Sequence, residues 1–142
     1  MANESLKSYS LNFEGYWREI NKNGIPSKSG IYLVYRSVYD ANSNTVGLKD
    51  IIYIGQAENL HDRIAKHEKL DDFNAQLQQG EELCYSVASV SSADLDVVEN
   101  ALIFAQKPVL NGNLKDSFNH GAVTVKLDGR CACMKYTDFK IS

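Results

Sequence analysis

The run from Tyr53 to His67 constrains the fold more than any other part of the chain, because it must be strand at one end and helix at the other. Ile51, Ile52, Tyr53 and Ile54 are β-branched or aromatic and read as strand. Gly55 then breaks the run, as glycine does where a backbone turns sharply or approaches something closely. From Glu58 the spacing becomes helical. With Leu60 at zero and about 100° per residue, Ile64 falls near +40°, His67 near −20° and Arg63 near −60°. The stripe that must face the core therefore carries an arginine and a histidine. A guanidinium keeps its charge and is almost never fully buried without a partner. Arg63 either packs its stem with its head in water, or lines a concave site with an anionic occupant.

The rest of the chain is ordinary in composition. At 142 residues, 44% hydrophobic and 23% charged, it has the size and make-up of one globular domain. No apolar run approaches the ~20 residues of a membrane span, and Met1 to Ser10 is polar and lacks a secretory signal, so the expected location is cytoplasmic, with no membrane partner. Cys84, Cys131 and Cys133 are odd in number and lack a metal-binding repeat; they read as unreactive strand cysteines. The formal net charge of −3 excludes a global basic field that would draw the whole protein onto nucleic acid. The charge is uneven, however. Residues 68–106 hold one Lys/Arg and eight Asp/Glu, whereas residues 107–142 hold six and three. Binding to nucleic acid must therefore use local patches, and the C-terminal third is the best candidate.

Taken in order, residues 1–9 read as a tail. Phe13, Tyr16, Trp17 and Ile20 have helical spacing, so 13–22 is expected to be a short amphipathic helix. Gly30 to Tyr35 opens a strand on which Tyr32 and Val34 share one face and Ile31, Leu33 and Tyr35 the other. Polar residues 39–50 read as a long hairpin connection to the strand at 51–54. A helix over 58–69, a short helix over 71–79 ended by Gly80, and a strand over 83–90 follow. Ser91 to Asp94 has capping-box spacing before a helix over 93–106. On that helix, with Leu95 at zero, Glu99 lies near +40° on the core-facing side, while Asp96 is about 60° off the stripe. Lys107-Pro108 stops it. Residues 122–127 and 130–136 flank Asp128-Gly129, a hairpin signal.

Gly30-Ile31-Tyr32, Tyr53-Ile54-Gly55, Arg63, His67, Glu99 and Asn111 occur in that order, with Arg63 eight residues after Gly55 and His67 four later. This constellation resembles the GIY-YIG nuclease family, whose two naming tripeptides are present letter for letter, and Lys107 to Asn111 is similar to the family's closing asparagine element. The resemblance covers about residues 28–112. It implies an α+β fold, with a small antiparallel sheet of about three core strands flanked by helices. It divides the chain into an N-terminal tail and helix (1–27), the nuclease core (28–112) and a C-terminal β-hairpin extension (113–142). Residues 33–52 make a longer gap than the family's usual hairpin. Gln56 stands where repair-type members have lysine, which together with His67 points to the restriction and homing branches.

The resemblance implies divalent-metal-dependent hydrolysis of DNA phosphodiester bonds, with Tyr32, Tyr53, Arg63, His67, Glu99 and Asn111 as catalytic residues and Gly30, Ile31, Ile54 and Gly55 as the motif backbone. Glu99 is the one well-placed carboxylate. One carboxylate with waters and substrate phosphate suits a single Mg²⁺ (or Mn²⁺) ion. Arg63 would neutralise the scissile phosphate. Tyr32 or Tyr53 would orient or deprotonate the water; the family suggests Tyr32, assisted by His67, and Arg63 and the metal would lower its pKa. Asn111 would bond the substrate or fix the site. Each residue alone has an ordinary structural reading.

Two other functions fit the same sequence. A non-catalytic nucleic-acid-binding module of this fold is disfavoured because no proposed catalytic position is substituted. A protein-interaction role for acidic 68–106 is disfavoured because such faces are more often merely solvated, and no protein partner is evident. DNA contacts are expected at Arg63, Lys66, Lys107 and Lys115, weak and strongly salt-dependent. A double-strand cut at one single-metal site needs two copies or sequential nicks, which leaves room for a homodimer.

Overall fold

Alternation along the strand that opens at Gly30 sets the layers of the molecule. The computed structural model of the chain describes residues 7–112 and 117–141. β1 (Lys7–Arg18), β2 (Gly30–Asp40), β3 (Thr45–Ala57), β4 (Glu82–Ser89), β5 (Val123–Gly129) and β6 (Asp138–Ile141) form one sheet in the order β3-β2-β4-β1-β5-β6. β2 pairs antiparallel with both β3 and β4, and β1 joins β4 antiparallel but β5 parallel. The expected three-stranded core is therefore one half of a six-stranded mixed sheet.

Ile31, Leu33 and Tyr35 point to one face, under α3 (Leu95–Gln106), while Tyr32 and Val34 point to the other, under α1 (Leu60–Ala65) and α2 (Leu70–Ala75). Both faces of this half are thus buried, which is why β2 is closed to water at every position from Gly30 to Tyr35.

Several expectations are corrected. Residues 13–22 are not a helix: β1 runs to Arg18, and a 3₁₀ segment covers Glu19–Gly24. A register shift between Gly15 and Trp17 puts Phe13 in one core cluster and Trp17 against the other, and the resulting spacing imitates a helical stripe. Ile20, the last residue of that apparent stripe, is 79% exposed. The connection expected over 39–50 is mostly strand. β2 and β3 pair as far as Asp40 and Thr45, because alternating small and apolar residues continue the ladder through two bulges. The strand does not break at Gly55 but runs to Ala57.

The helix after it covers only Leu60–Ala65, capped by Asn59, whose side chain accepts from the Asp62 N–H. α2 stops at Ala75, before Gly80. No capping box forms at Ser91; the Ser92 hydroxyl instead donates to Glu58 at 2.6 Å. At the C-terminal end, Gly129 closes β5 against β1, where a Cβ would lie 2.3 Å from the Phe13 carbonyl. The return strand begins only at Asp138, so the tight Asp128-Gly129 hairpin is not made. Residues 130–137 form the connection, and Cys131 and Cys133 lie there rather than on a strand. Gln106 holds this connection, accepting from the Lys135 and Tyr136 N–H groups and donating to the Tyr136 carbonyl. The extension therefore widens the sheet. No helix among the described residues is long and apolar enough to cross a membrane.

Candidate active site

Tyr32 is positioned by the residue opposite it. Tyr32 pairs with Gly55 across β2 and β3, and a Cβ on Gly55 would come within 2.3 Å of the Tyr32 ring and hydroxyl. The ring lies across the β3 backbone at that point, which is the close approach that Gly55 permits. Gly30 does the same between strands: its Cβ would stand 2.0 Å from the Ala88 carbonyl.

Tyr53 is aimed by a bulge. The register passes from Val34–Tyr53 to Tyr35–Ile51, leaving Ile52 unpaired. Ile52 and Tyr53, though neighbours, both pack with the α1/α2 layer.

His67 follows α1 and is 8% exposed. Its ring sits among Tyr32, Tyr53 and Phe73, with centroids 5.5, 5.8 and 4.7 Å away. The Lys69 backbone N–H donates to Nδ1 at 3.0 Å, and Nε2 lies 2.6 Å from the Tyr32 hydroxyl. Burial, reinforced by Arg63, lowers the His67 pKa to about 4. The imidazole is thus neutral near pH 7, with one N–H. Because Nδ1 accepts, the hydrogen belongs on Nε2, and His67 donates to Tyr32.

Arg63, half-buried on α1, bonds Glu68 at 2.9 Å. It favours the Tyr32 phenolate as expected, but burial and then Tyr53 outweigh it, so the Tyr32 pKa is raised, not lowered. The Tyr53 pKa is also raised, by burial and then Glu99.

Glu99 enters from α3, on the opposite layer. These groups meet because β3 is the sheet edge, round which both layers open. Gln56, on the same edge, donates from its amide nitrogen to Glu99 at 3.0 Å and to Asp96 at 2.8 Å. Asp96, set aside as off the stripe, is thus brought beside Glu99. Burial raises the Glu99 pKa, the Gln56 hydrogen bond opposes this, and Asp96 raises it further.

Asn111 does not reach into the site as a ligand. Its side chain accepts from the Ile54 N–H and donates to the Ile54 carbonyl, both at 2.9 Å, while the Leu110 N–H donates to Ile52. The asparagine amide thereby stands in for a neighbouring strand and fixes Tyr53-Ile54-Gly55. Between these elements lies a groove of about 280 Å³ lined by Tyr53, Lys69, Glu99, Ile103, Leu110 and Asn111.

Tyr32, Tyr53, Arg63, His67 and Glu99 are therefore brought to one place, with Asn111 at its wall. Lys66 is exposed beside Asp62 and Ala65, away from the groove. Lys107 ends α3 in a left-handed turn and lines a separate cavity with Asp50 and Lys135. Lys115 lies outside the described residues. Sequence reasoning missed Lys69 and the bonding role of Gln56. Lys69 was two residues beyond His67, and no wheel reaches it because α1 has already ended.

A hard cation fits the oxygen chemistry of this corner, since a half-buried Glu99 has a second carboxylate beside it. No group of three or more His, Cys, Asp or Glu side chains among the described residues could enclose one. Any such ion would take most of its ligands from water or substrate.

The chain is similar to UvrABC system C proteins. It is 30% identical over 105 residues to that of Rickettsia canadensis (strain McKiel), a match covering 72% of this chain and 15% of the relative. The protein of Rickettsia bellii (strain RML369-C) is 29% identical over 106 residues, covering 73% and 15%. That of Rickettsia felis (strain ATCC VR-1525 / URRWXCal2) is 28% identical over 105 residues, covering 72% and 15%. The match therefore spans a small part of each relative's length. No family model and no solved structure matches the chain. These relatives do not support the restriction and homing branch expected from Gln56 and His67.

Proposed function

We propose that the chain is a GIY-YIG-type endonuclease domain that hydrolyses DNA phosphodiester bonds with one Mg²⁺ or Mn²⁺ ion. The observation that carries this is the convergence of Tyr32, Tyr53, Arg63, His67 and Glu99 round the β3 edge, from the two helical layers on opposite faces of the sheet. The similarity to UvrABC system C proteins supports it.

Glu99, with Asp96 beside it, would hold the ion, which would supply charge neutralisation at the phosphoryl oxygens. Arg63 offers a planar, permanently charged fork to the scissile phosphate once Glu68, 72% exposed, yields it. Tyr32 is the water-orienting group. Its oxygen faces two donors, the His67 Nε2–H and the Arg63 guanidinium, and both gain strength if that oxygen takes negative charge. In this arrangement His67 steadies Tyr32 by donating to it. Tyr53 closes the groove wall, and Asn111 holds the strand that carries it. The working location is cytoplasmic.

Incubation of supercoiled plasmid with Mg²⁺ tests the reading. The parent protein nicks or linearises it, and Glu99→Ala and Arg63→Ala do not. Loss of a preorganised donor such as Arg63 costs about 2.7–4 kcal/mol of barrier, roughly 10²–10³ in rate. Failure of the parent to cut duplex, single-stranded and branched DNA would leave a non-catalytic binding module.

A further inference from the structure

The turn that follows α1 delivers three consecutive residues to one site. His67 reaches Tyr32, Glu68 reaches Arg63, and Lys69 lines the groove with Tyr53, Glu99 and Asn111. The first two have partners. The half-buried Lys69 side chain makes no ion pair or hydrogen bond among the described residues, although its charge is felt by Glu68 and His67. The acids on either side of it are engaged, Glu68 by Arg63 and Glu99 by Gln56.

Lys69 lies near Glu68, but that carboxylate is committed to Arg63, so the ammonium keeps its capacity for an incoming anion. We propose that Lys69 binds a phosphate oxygen of the substrate strand in this groove. The inference rests on the nuclease reading and deepens it: Gln56 brings an uncharged amide to the Glu99 corner, and Lys69 supplies a cation from across the groove. A lysine suits this role as a mobile point charge that can follow the backbone of the strand.

The two parts of Lys69 do separate work, which makes the idea testable. Its backbone N–H orients His67 and survives any side-chain substitution except proline. Lys69→Met therefore removes the ammonium while leaving the His67–Tyr32 contact in place. Lys69→Arg keeps the charge.

Two readouts are needed. Binding of a fluorescent duplex cut from the plasmid sequence is followed against KCl concentration in a Glu99→Ala background, so that nothing is cleaved. Cleavage of supercoiled plasmid with Mg²⁺ is followed in the parent background. Lys69→Met is expected to flatten the slope of log affinity against log salt by about 0.9, one phosphate's worth, and to slow cleavage at least tenfold. Its fold is checked by its melting temperature and by its far-ultraviolet circular dichroism matching the parent's. Lys69→Arg should restore the slope and most of the rate.

An unchanged salt slope with unchanged cleavage in Lys69→Met overturns the Lys69 inference and leaves the nuclease reading standing. A parent that cuts nothing, yet shows a Lys69-dependent slope, overturns the nuclease reading and keeps Lys69 as a phosphate contact. No binding of the duplex by any of the proteins overturns both.

Discussion

The Tyr32 hydroxyl lies 2.6 Å from Nε2 of His67, on an imidazole whose other nitrogen is already taken by the Lys69 backbone N–H. A proton added to His67 would break the second of these contacts and place a charge among Tyr53 and Phe73. Folding therefore opposes protonation of this ring.

The consequence is a loss of stability in mild acid. In the unfolded chain His67 takes up its proton near pH 6.5, whereas in the folded chain it does so only near pH 4. Between those values the unfolded state binds more protons, so stability falls as pH drops from 6.5 towards 4, by at most ~3 kcal/mol. Urea denaturation at pH 7, 6 and 5 measures this. His67→Phe should be flatter than the parent over that range; an equal slope in both would show that another group is responsible.

Gly55→Ala should displace the Tyr32 ring, because the new methyl would sit 2.3 Å from its hydroxyl and Cζ. Overpacking of this kind costs about 1–3 kcal/mol. The expected result is a soluble protein with a lower denaturation midpoint and cleavage reduced at least as far as in Tyr32→Phe. Parent-like activity would mean that the ring moves aside without consequence.

Asn111→Ala should loosen β3 locally. The substitution strips two hydrogen bonds from the Ile54 peptide, one in each direction. Each unsatisfied buried group costs roughly 1–3 kcal/mol. Hydrogen exchange at the Ile54 amide is expected to accelerate far more than at Leu33, its cross-strand partner. Uniform acceleration throughout the sheet would point to global destabilisation instead.

Gln56→Glu exchanges a shared donor for a third carboxylate beside Asp96 and Glu99. Without divalent ions the variant should melt about 3–6 °C below the parent. With millimolar Mn²⁺ it should gain more than the parent does, because the folded state binds the cation more tightly. A gain no larger than the parent's would count against a cation site at this corner.

Much of this was legible in the residues. The face alternation of Tyr32 against Ile31 and Leu33 survives intact, because a strand covered on both sides leaves little freedom for register. Arg63 and Glu99, each flagged as a charge on a core-facing stripe, are both half-buried, Arg63 with Glu68 and Glu99 with Gln56. What failed did so for local reasons. A bulge at Gly15 made a strand look helical, and the bulge at Ile52 sends two adjacent residues to one face, which no alternation rule anticipates. Asp96 was set aside on the helical wheel, yet Gln56 reaches both carboxylates from outside the helix. Arg63 was expected to draw down the Tyr32 pKa, but the sequence does not reveal how deeply that ring is enclosed.

The parallel pairing of β1 with β5 ties Lys7 to Val123 and Phe13 to Gly129, so residues from far-apart stretches of the chain share one ladder. As the chain is synthesised, β4 can dock between β2 and β1 soon after Ser89 is made. The outer edge of β1 must then wait for β5. Until it arrives, that edge offers unpaired backbone groups to any passing strand, and Leu11 and Phe13 lack the cover that Leu127 completes. Late, long-range closures are the slow ones. The exposed moment in the life of this protein is therefore before its last strands are added, and fragments that stop short of β5 would be the ones to aggregate.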